Sequence, residues 1–198
     1  MAKDWKGDGN SIFKMIGASN HTEKERQTED YYATDPRAAE VLLQVEKFSH
    51  NIWEPACGEG HLAEVFKRHG FNVRASDLID RGYGDVQDFL SMAVTEWDGD
   101  IVTNPPYRTA IDFIYKALNI IPEGRKVCMF LKVQFLEGKT RKSLFTNTPP
   151  HTVYVFSSRV NCAMNGDFKS FKFNSAVAYA WFVWEKGYTG DTILKWVN

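Results

Sequence analysis

Residues 51–60 read Asn-Ile-Trp-Glu-Pro-Ala-Cys-Gly-Glu-Gly, "NIWEPACGEG", and the order of residue types in this stretch decides the fold. Ile52 and Trp53 suit a short buried strand. Glu54 ends it with a carboxyl, and Pro55, Gly58 and Gly60 turn the chain tightly enough for backbone to approach a ligand. "HLAEVFKRHG" (61–70) has helical spacing and closes on Gly70. "FNVRASD" (71–77) reads as a second strand, and its last residue, Asp77, lies 19 positions beyond Gly58. That spacing matches a nucleoside-binding strand-helix-strand unit, in which the terminal acid reaches ribose hydroxyls. The full dinucleotide pattern needs another glycine at position 63, where the chain has Ala63, so the turn points to a nucleoside without a pyrophosphate.

Outward from this unit, strands and helices alternate. "TDPRAAEVLLQVEKF" (34–48) starts like a helix, with Asp35 as its cap and Pro36 in its first turn. "GDIVTN" (99–104) is a short apolar strand, "RTAIDFIYKALNII" (108–121) an amphipathic helix, and "KVCMFLKV" (126–133) a buried strand. "TRKSLFTN" (140–147) reads as a short helix, and "HTVYVFS" (151–157) and "AVAYAWFVWEKG" (176–187) as strands. The expected fold is α/β and Rossmann-like, with a mostly parallel seven-stranded sheet covered by helices on both faces. No helix separates the last two strands, so one of them should run antiparallel. Residues 1–30, polar apart from Ile12-Phe13-Lys14-Met15-Ile16, are expected to form a loosely ordered arm, and residues 31–198 a single domain.

Composition narrows the class. The 198 residues are 43% hydrophobic and 25% charged, which fits a globular protein. The start "MAKDWKGDGNSIFKMIG" lacks the apolar core of a secretory signal, and no apolar run is long enough to span a bilayer, so a cytoplasmic protein without membrane partners is expected. Cys57, Cys128 and Cys162 are far apart and the five histidines are scattered, which predicts reduced thiols and no metal. Net charge is only −1, yet residues 125–172 carry nine lysines and arginines against Glu137 and Asp167. Such asymmetry suits nucleic-acid contact in the second half, although an ordinary solvated surface would also accommodate it.

A second stretch, "DIVTNPPY" (100–107), follows a strand with an amide, two prolines and an aromatic ring. Taken together, "EPACGEGHLAEVF" (54–66), Asp77, "GDVQDF" (84–89) and "DIVTNPPY" resemble the amino-methyltransferase branch of the S-adenosylmethionine-dependent methyltransferases. The resemblance is greatest to the DNA N6-adenine methyltransferases of bacteria and phages. It covers about residues 30–185 and includes "YYATDPRAA" (31–39) before the first core strand. It implies S-adenosyl-L-methionine as cofactor, with Tyr32, Thr34, Glu54, Ala56, Gly58 and Gly60 at or beside the methionine end. It further implies Asp77 at the ribose and Asp88 and Phe89 at the adenine; Phe89 would serve a core equally well. Most members carry Asp where this chain has Glu54, one methylene longer.

The chemistry of the second stretch follows. An exocyclic amine is a poor nucleophile because its lone pair is conjugated into the ring. Two carbonyls accepting its N–H groups, the side chain of Asn104 and the backbone of Pro105, would pull the nitrogen towards tetrahedral geometry and stabilise its developing charge. Pro105 and Pro106 fix those acceptors, and Tyr107 offers a face for a flipped base. Arg159 and the long connection "SRVNCAMNGDFKSFKFN" (158–174), with Phe168, Lys169, Phe171 and Lys172, are the expected substrate contacts. DNA is the expected partner of a monomer or weak dimer, with no recognition domain expected after Asn198. RNA adenine, a protein glutamine amide, or a non-catalytic cofactor- and DNA-binding module remain alternatives.

Overall fold

A computed structural model describes residues 32–158, 160, 162–164 and 177–198. In chain order the strands are β1 (Tyr32–Thr34), β2 (Asn51–Glu54), β3 (Asn72–Asp77), β4 (Asp85–Val86), β5 (Asp100–Thr103), β6 (Lys126–Lys132), β7 (Thr152–Phe156), β8 (Cys162–Met164), β9 (Tyr179–Glu185) and β10 (Ile193–Val197). Among the described residues four α-helices are interspersed: α1 (Arg37–Val45), α2 (His61–Arg68), α3 (Ala110–Ile120) and α4 (Lys142–Asn147). Eight strands form one sheet in the order β4-β3-β2-β5-β6-β9-β7-β10, while β1 and β8 pair as a separate antiparallel ribbon.

The sheet is parallel from β4 through β6, and β9 runs antiparallel to both β6 and β7. This is the reversal expected where no helix intervenes. Alternation along the strands feeds two cores. Val127, Met129 and Leu131 of β6, with Phe182 and Trp184 of β9, face α3. Cys128 and Phe130, with Trp181 and Val183, face α1 and α2. Because β6 is buried on both sides, its sequence reads as a continuous apolar run.

One expectation is corrected: the sheet has eight strands, not seven. Two of its strands are not read from the sequence: the two-residue β4, parallel to β3 at one edge, and β10, which pairs in parallel with β7 at the other. In β10, residues Ile193 to Lys195 are exposed and Trp196 is 68% exposed, so "ILKWV" never acquires the polar–apolar alternation that announces a half-buried strand. The helix ends largely follow the sequence. Asp35 Oδ1 accepts the Arg37 N–H at 2.9 Å, and the Phe71 N–H closes α2 on the Phe66 carbonyl at 3.1 Å around Gly70, whose φ is +85°. The first helix stops at Val45, three residues earlier than the apolar spacing to Phe48 suggests.

Candidate active site

From β2 the chain winds to β3 and β4 on one side; from β5 it continues to β6 on the other. The carboxyl ends of neighbouring strands β2 and β5 therefore flank the point where strand order reverses, the place where open α/β sheets bind ligands. A cavity of about 420 Å³ opens there, within the range of small-molecule sites. Its wall is drawn from residues 54–57 after β2, 77–79 after β3, 88–90 after β4 and 104–109 after β5, joined by Ala33 and Thr34 of β1.

The glycine turn is fixed from below. The Gly58 N–H donates to Asp77 Oδ2 at 2.8 Å and the Ile79 N–H to Oδ1 at 3.0 Å, so one carboxylate ties the ends of β2 and β3 together. Gly60 has φ +81°, and a Cβ there would lie 2.5 Å from the Tyr83 ring. The Tyr83 hydroxyl donates to Glu64 Oε1 at 2.6 Å, anchoring the ring against the turn. A pyrophosphate over the start of α2 would have to displace that ring, which agrees with the missing third glycine. Gly58 and Gly60 thus shape the turn and do not themselves line the cavity.

Glu54 is 3% exposed, and its Oε2 accepts the Ala63 N–H at 2.8 Å. Burial holds its carboxyl well above the usual range; the Ala63 N–H opposes this and the Asp77 charge adds to it. Burial, with the charges of Glu54 and Asp77, pushes the Cys57 thiol up to about 12, so Cys57 is no nucleophile at neutral pH. Asp88 behaves oppositely: hydrogen bonding from Ser91, then from the Leu90 and Ser91 backbone, outweighs burial and lowers its carboxyl. Phe89 packs 5.2 Å from Trp53 and 4.9 Å from Phe113 between ring centroids and also contributes to the cavity wall. Lys116 holds this loop by donating to the carbonyls of Leu90 at 3.0 Å and Met92 at 2.7 Å.

Asn104 directly follows β5, and its Nδ2 donates to Thr34 Oγ1 at 2.9 Å. Pro105 is buried, and the Pro106 carbonyl accepts the Thr109 N–H at 3.1 Å at the start of α3. The Tyr107 hydroxyl meets that of Tyr179 at 3.3 Å, and Lys132 Nζ lies 4.5 Å from the Tyr107 ring centroid. The structure therefore brings Thr34, Glu54, Ala56, Asp77, Asp88, Phe89 and Asn104 to Tyr107 around one cavity.

Tyr32 is placed by its backbone in β1, opposite Met164. Arg159, Phe168, Lys169, Phe171 and Lys172 lie outside the described residues, as does the arm 1–30. Sequence reading missed Arg81 and Arg108 in the cavity wall and Lys132 and Tyr179 beside Tyr107. Lys132 had a usable signal: a charge ending a buried strand sits at the same sheet edge as the other strand-terminal site residues. Among the described residues no group of three or more His, Cys, Asp or Glu could hold a metal ion, and no helix is long and apolar enough to cross a membrane.

The sequence matches no protein-family model and no curated protein. Solved structures do share the architecture. A protein of Listeria monocytogenes assigned to the class I S-adenosylmethionine-dependent methyltransferases superposes with a TM-score of 0.58 at 15% identity, over 86% of this chain and 67% of that one. The type IIG restriction endonuclease BpuSI gives 0.55 at 15% identity over 92% of this chain, and the M protein of the type I restriction enzyme EcoKI gives 0.53 at 12% over 91%. This chain spans only 28% of BpuSI and 48% of the EcoKI protein. The fold is the Rossmann-like α/β methyltransferase fold.

Proposed function

We propose that the protein transfers a methyl group from S-adenosylmethionine to the exocyclic N6 amine of adenine in DNA. The observation that carries this reading is that Asn104, Pro105, Pro106 and Tyr107 share one cavity with Glu54, Asp77 and Asp88. The cavity fits a nucleoside linked to an amino acid. Carboxyls stand at successive strand ends, Tyr83 closes the glycine turn to a pyrophosphate, and the volume suits one such molecule.

In this reading Glu54 and Ala56, with Tyr32 on β1, hold the methionine end, Asp77 the ribose, and Asp88 with Phe89 the adenine ring. When bound, the cofactor supplies an electrophilic methyl on a sulfonium. Asn104 Oδ1 and the Pro105 carbonyl would accept the two N–H groups of the target amine and stabilise the positive charge that grows on nitrogen as its bond to the methyl carbon forms and the sulfur–methyl bond breaks, the sulfonium leaving as a neutral thioether. The nitrogen then gives up one proton to solvent, so no general base is required. Tyr107 supports the flipped base, and base–aromatic stacking returns about 1–3 kcal/mol of the cost of unstacking it from the duplex.

DNA is favoured over other acceptors by the basic segment 125–172 and by likeness in fold to the EcoKI M protein, a DNA adenine methyltransferase. The test offers methyl-labelled cofactor with unmethylated duplex DNA, RNA or a glutamine-containing protein. Label in DNA supports the proposal. Label confined to RNA or protein, or no label in any acceptor, overturns it.

A further inference from the structure

Thr34 is the last residue of β1; it is 4% exposed, and its hydroxyl oxygen accepts a hydrogen bond from Asn104 Nδ2 at 2.9 Å. A primary amide presents opposite chemistry at its two ends: Oδ1 accepts and Nδ2 donates. Rotated by half a turn, Asn104 would offer N–H groups to an amine that itself offers N–H groups, and the contact needed for transfer would become a repulsion. A group that accepts from Nδ2 therefore favours the orientation in which Oδ1 can serve the substrate. The backbone of Thr34 is in turn held opposite Cys162 in the β1–β8 ribbon, where β8 belongs to the connection between β7 and β9.

We infer that Thr34 is a positioning residue for Asn104: its hydroxyl engages the amide nitrogen and leaves Oδ1 as the end presented to the substrate amine. The inference rests on the proposed methyl transfer, and it moves Thr34 from the cofactor contacts to the orientation of the acceptor. It also makes the orientation of Asn104 depend on the β1–β8 pairing, and so on the chain segment that follows β7.

The test is a double-mutant cycle with Thr34→Val, which keeps shape and loses the hydroxyl, and Asn104→Ala. Thr34→Val is expected to lower kcat by about 3- to 10-fold, the scale of one neutral hydrogen bond, with cofactor affinity by calorimetry unchanged within about 2-fold. Thr34→Ser should restore most of the loss. In the Asn104→Ala background Thr34→Val should have no further effect on kcat, and the two changes should be non-additive in the thermal midpoint of the cofactor-free protein. An unchanged kcat in Thr34→Val, additive effects, or a fall in cofactor affinity in both backgrounds would overturn the assignment. A wild-type protein that labels no acceptor overturns the methyl-transfer reading instead.

Discussion

The Gly58 backbone N–H and the Asp77 carboxylate, 19 residues apart, meet at 2.8 Å and join the glycine turn to the end of β3. The same carboxylate also accepts the Ile79 N–H, so it organises two loops before any ligand arrives. Asp77→Ala is therefore expected to do two things: weaken S-adenosylmethionine binding by about 1.5–3 kcal/mol, the scale of a hydrogen bond to a charged group, and lower the thermal midpoint of the free protein. Asp77→Asn, which keeps one acceptor, should fall between. Calorimetry and thermal unfolding on the same preparations check both; unchanged affinity in Asp77→Ala removes it from the site.

Glu54 links stability to pH. Its folded-state carboxyl titrates well above the unfolded one because burial disfavours the charge. The folded state therefore holds the proton more tightly, and stability falls as pH rises from the ordinary carboxylate range through the raised folded value. Glu54→Gln removes that loss: its thermal midpoint should exceed wild type at neutral pH, and the gain should vanish below about pH 4, where both states of Glu54 are protonated. The same change should weaken binding of the cationic cofactor. A midpoint difference that does not vary with pH would contradict this account.

Gly60 is required for the space its Cβ would occupy and for its left-handed backbone. Gly60→Ala should destabilise the protein by more than the ~1–2 kcal/mol of left-handed strain alone, because the Tyr83 ring must also move. Adding Tyr83→Ala relieves the clash and leaves the strain, so part of the loss should return. Full additivity of the two substitutions in denaturant unfolding would show that they do not meet.

Tyr107 is held at both ends, by Lys132 against its ring and by Tyr179 at its hydroxyl. Tyr107→Phe keeps the ring and should retain most turnover, whereas Tyr107→Ala should raise KM for DNA and lower kcat together. Steady-state kinetics separates the two; equal losses in both variants would assign the role to the hydroxyl.

Much of this site can be read in the sequence because its residues terminate strands. Glu54, Asp77 and Asn104 each end or follow a short apolar run, and a parallel sheet carries such positions to one edge whatever the details of packing. Thr34 and Lys132 show what escapes. The role of Thr34 depends on a ribbon between segments about 130 residues apart, and Lys132 meets Tyr107 only after β6 and β5 pair. The end of β6 places Lys132 at the site's edge of the sheet, but no local pattern encodes its meeting with Tyr107 or that of Thr34 with Asn104. The edge strand β10 escapes for a different reason: with most of its side chains exposed, burial imposes no alternation on it.

The central claim is that Asn104 activates an adenine amine, and nucleoside analysis of methylated DNA tests it most directly. Wild type or Asn104→Ala is incubated with methyl-labelled cofactor and unmethylated duplex DNA, and the DNA is digested and resolved into nucleosides. The account predicts label in N6-methyl-2′-deoxyadenosine with wild type and a rate lower by about 10²- to 10³-fold in Asn104→Ala at nearly constant cofactor affinity, the scale of losing one preorganised transition-state contact. Label in any other nucleoside, or an Asn104→Ala rate equal to wild type, would contradict it.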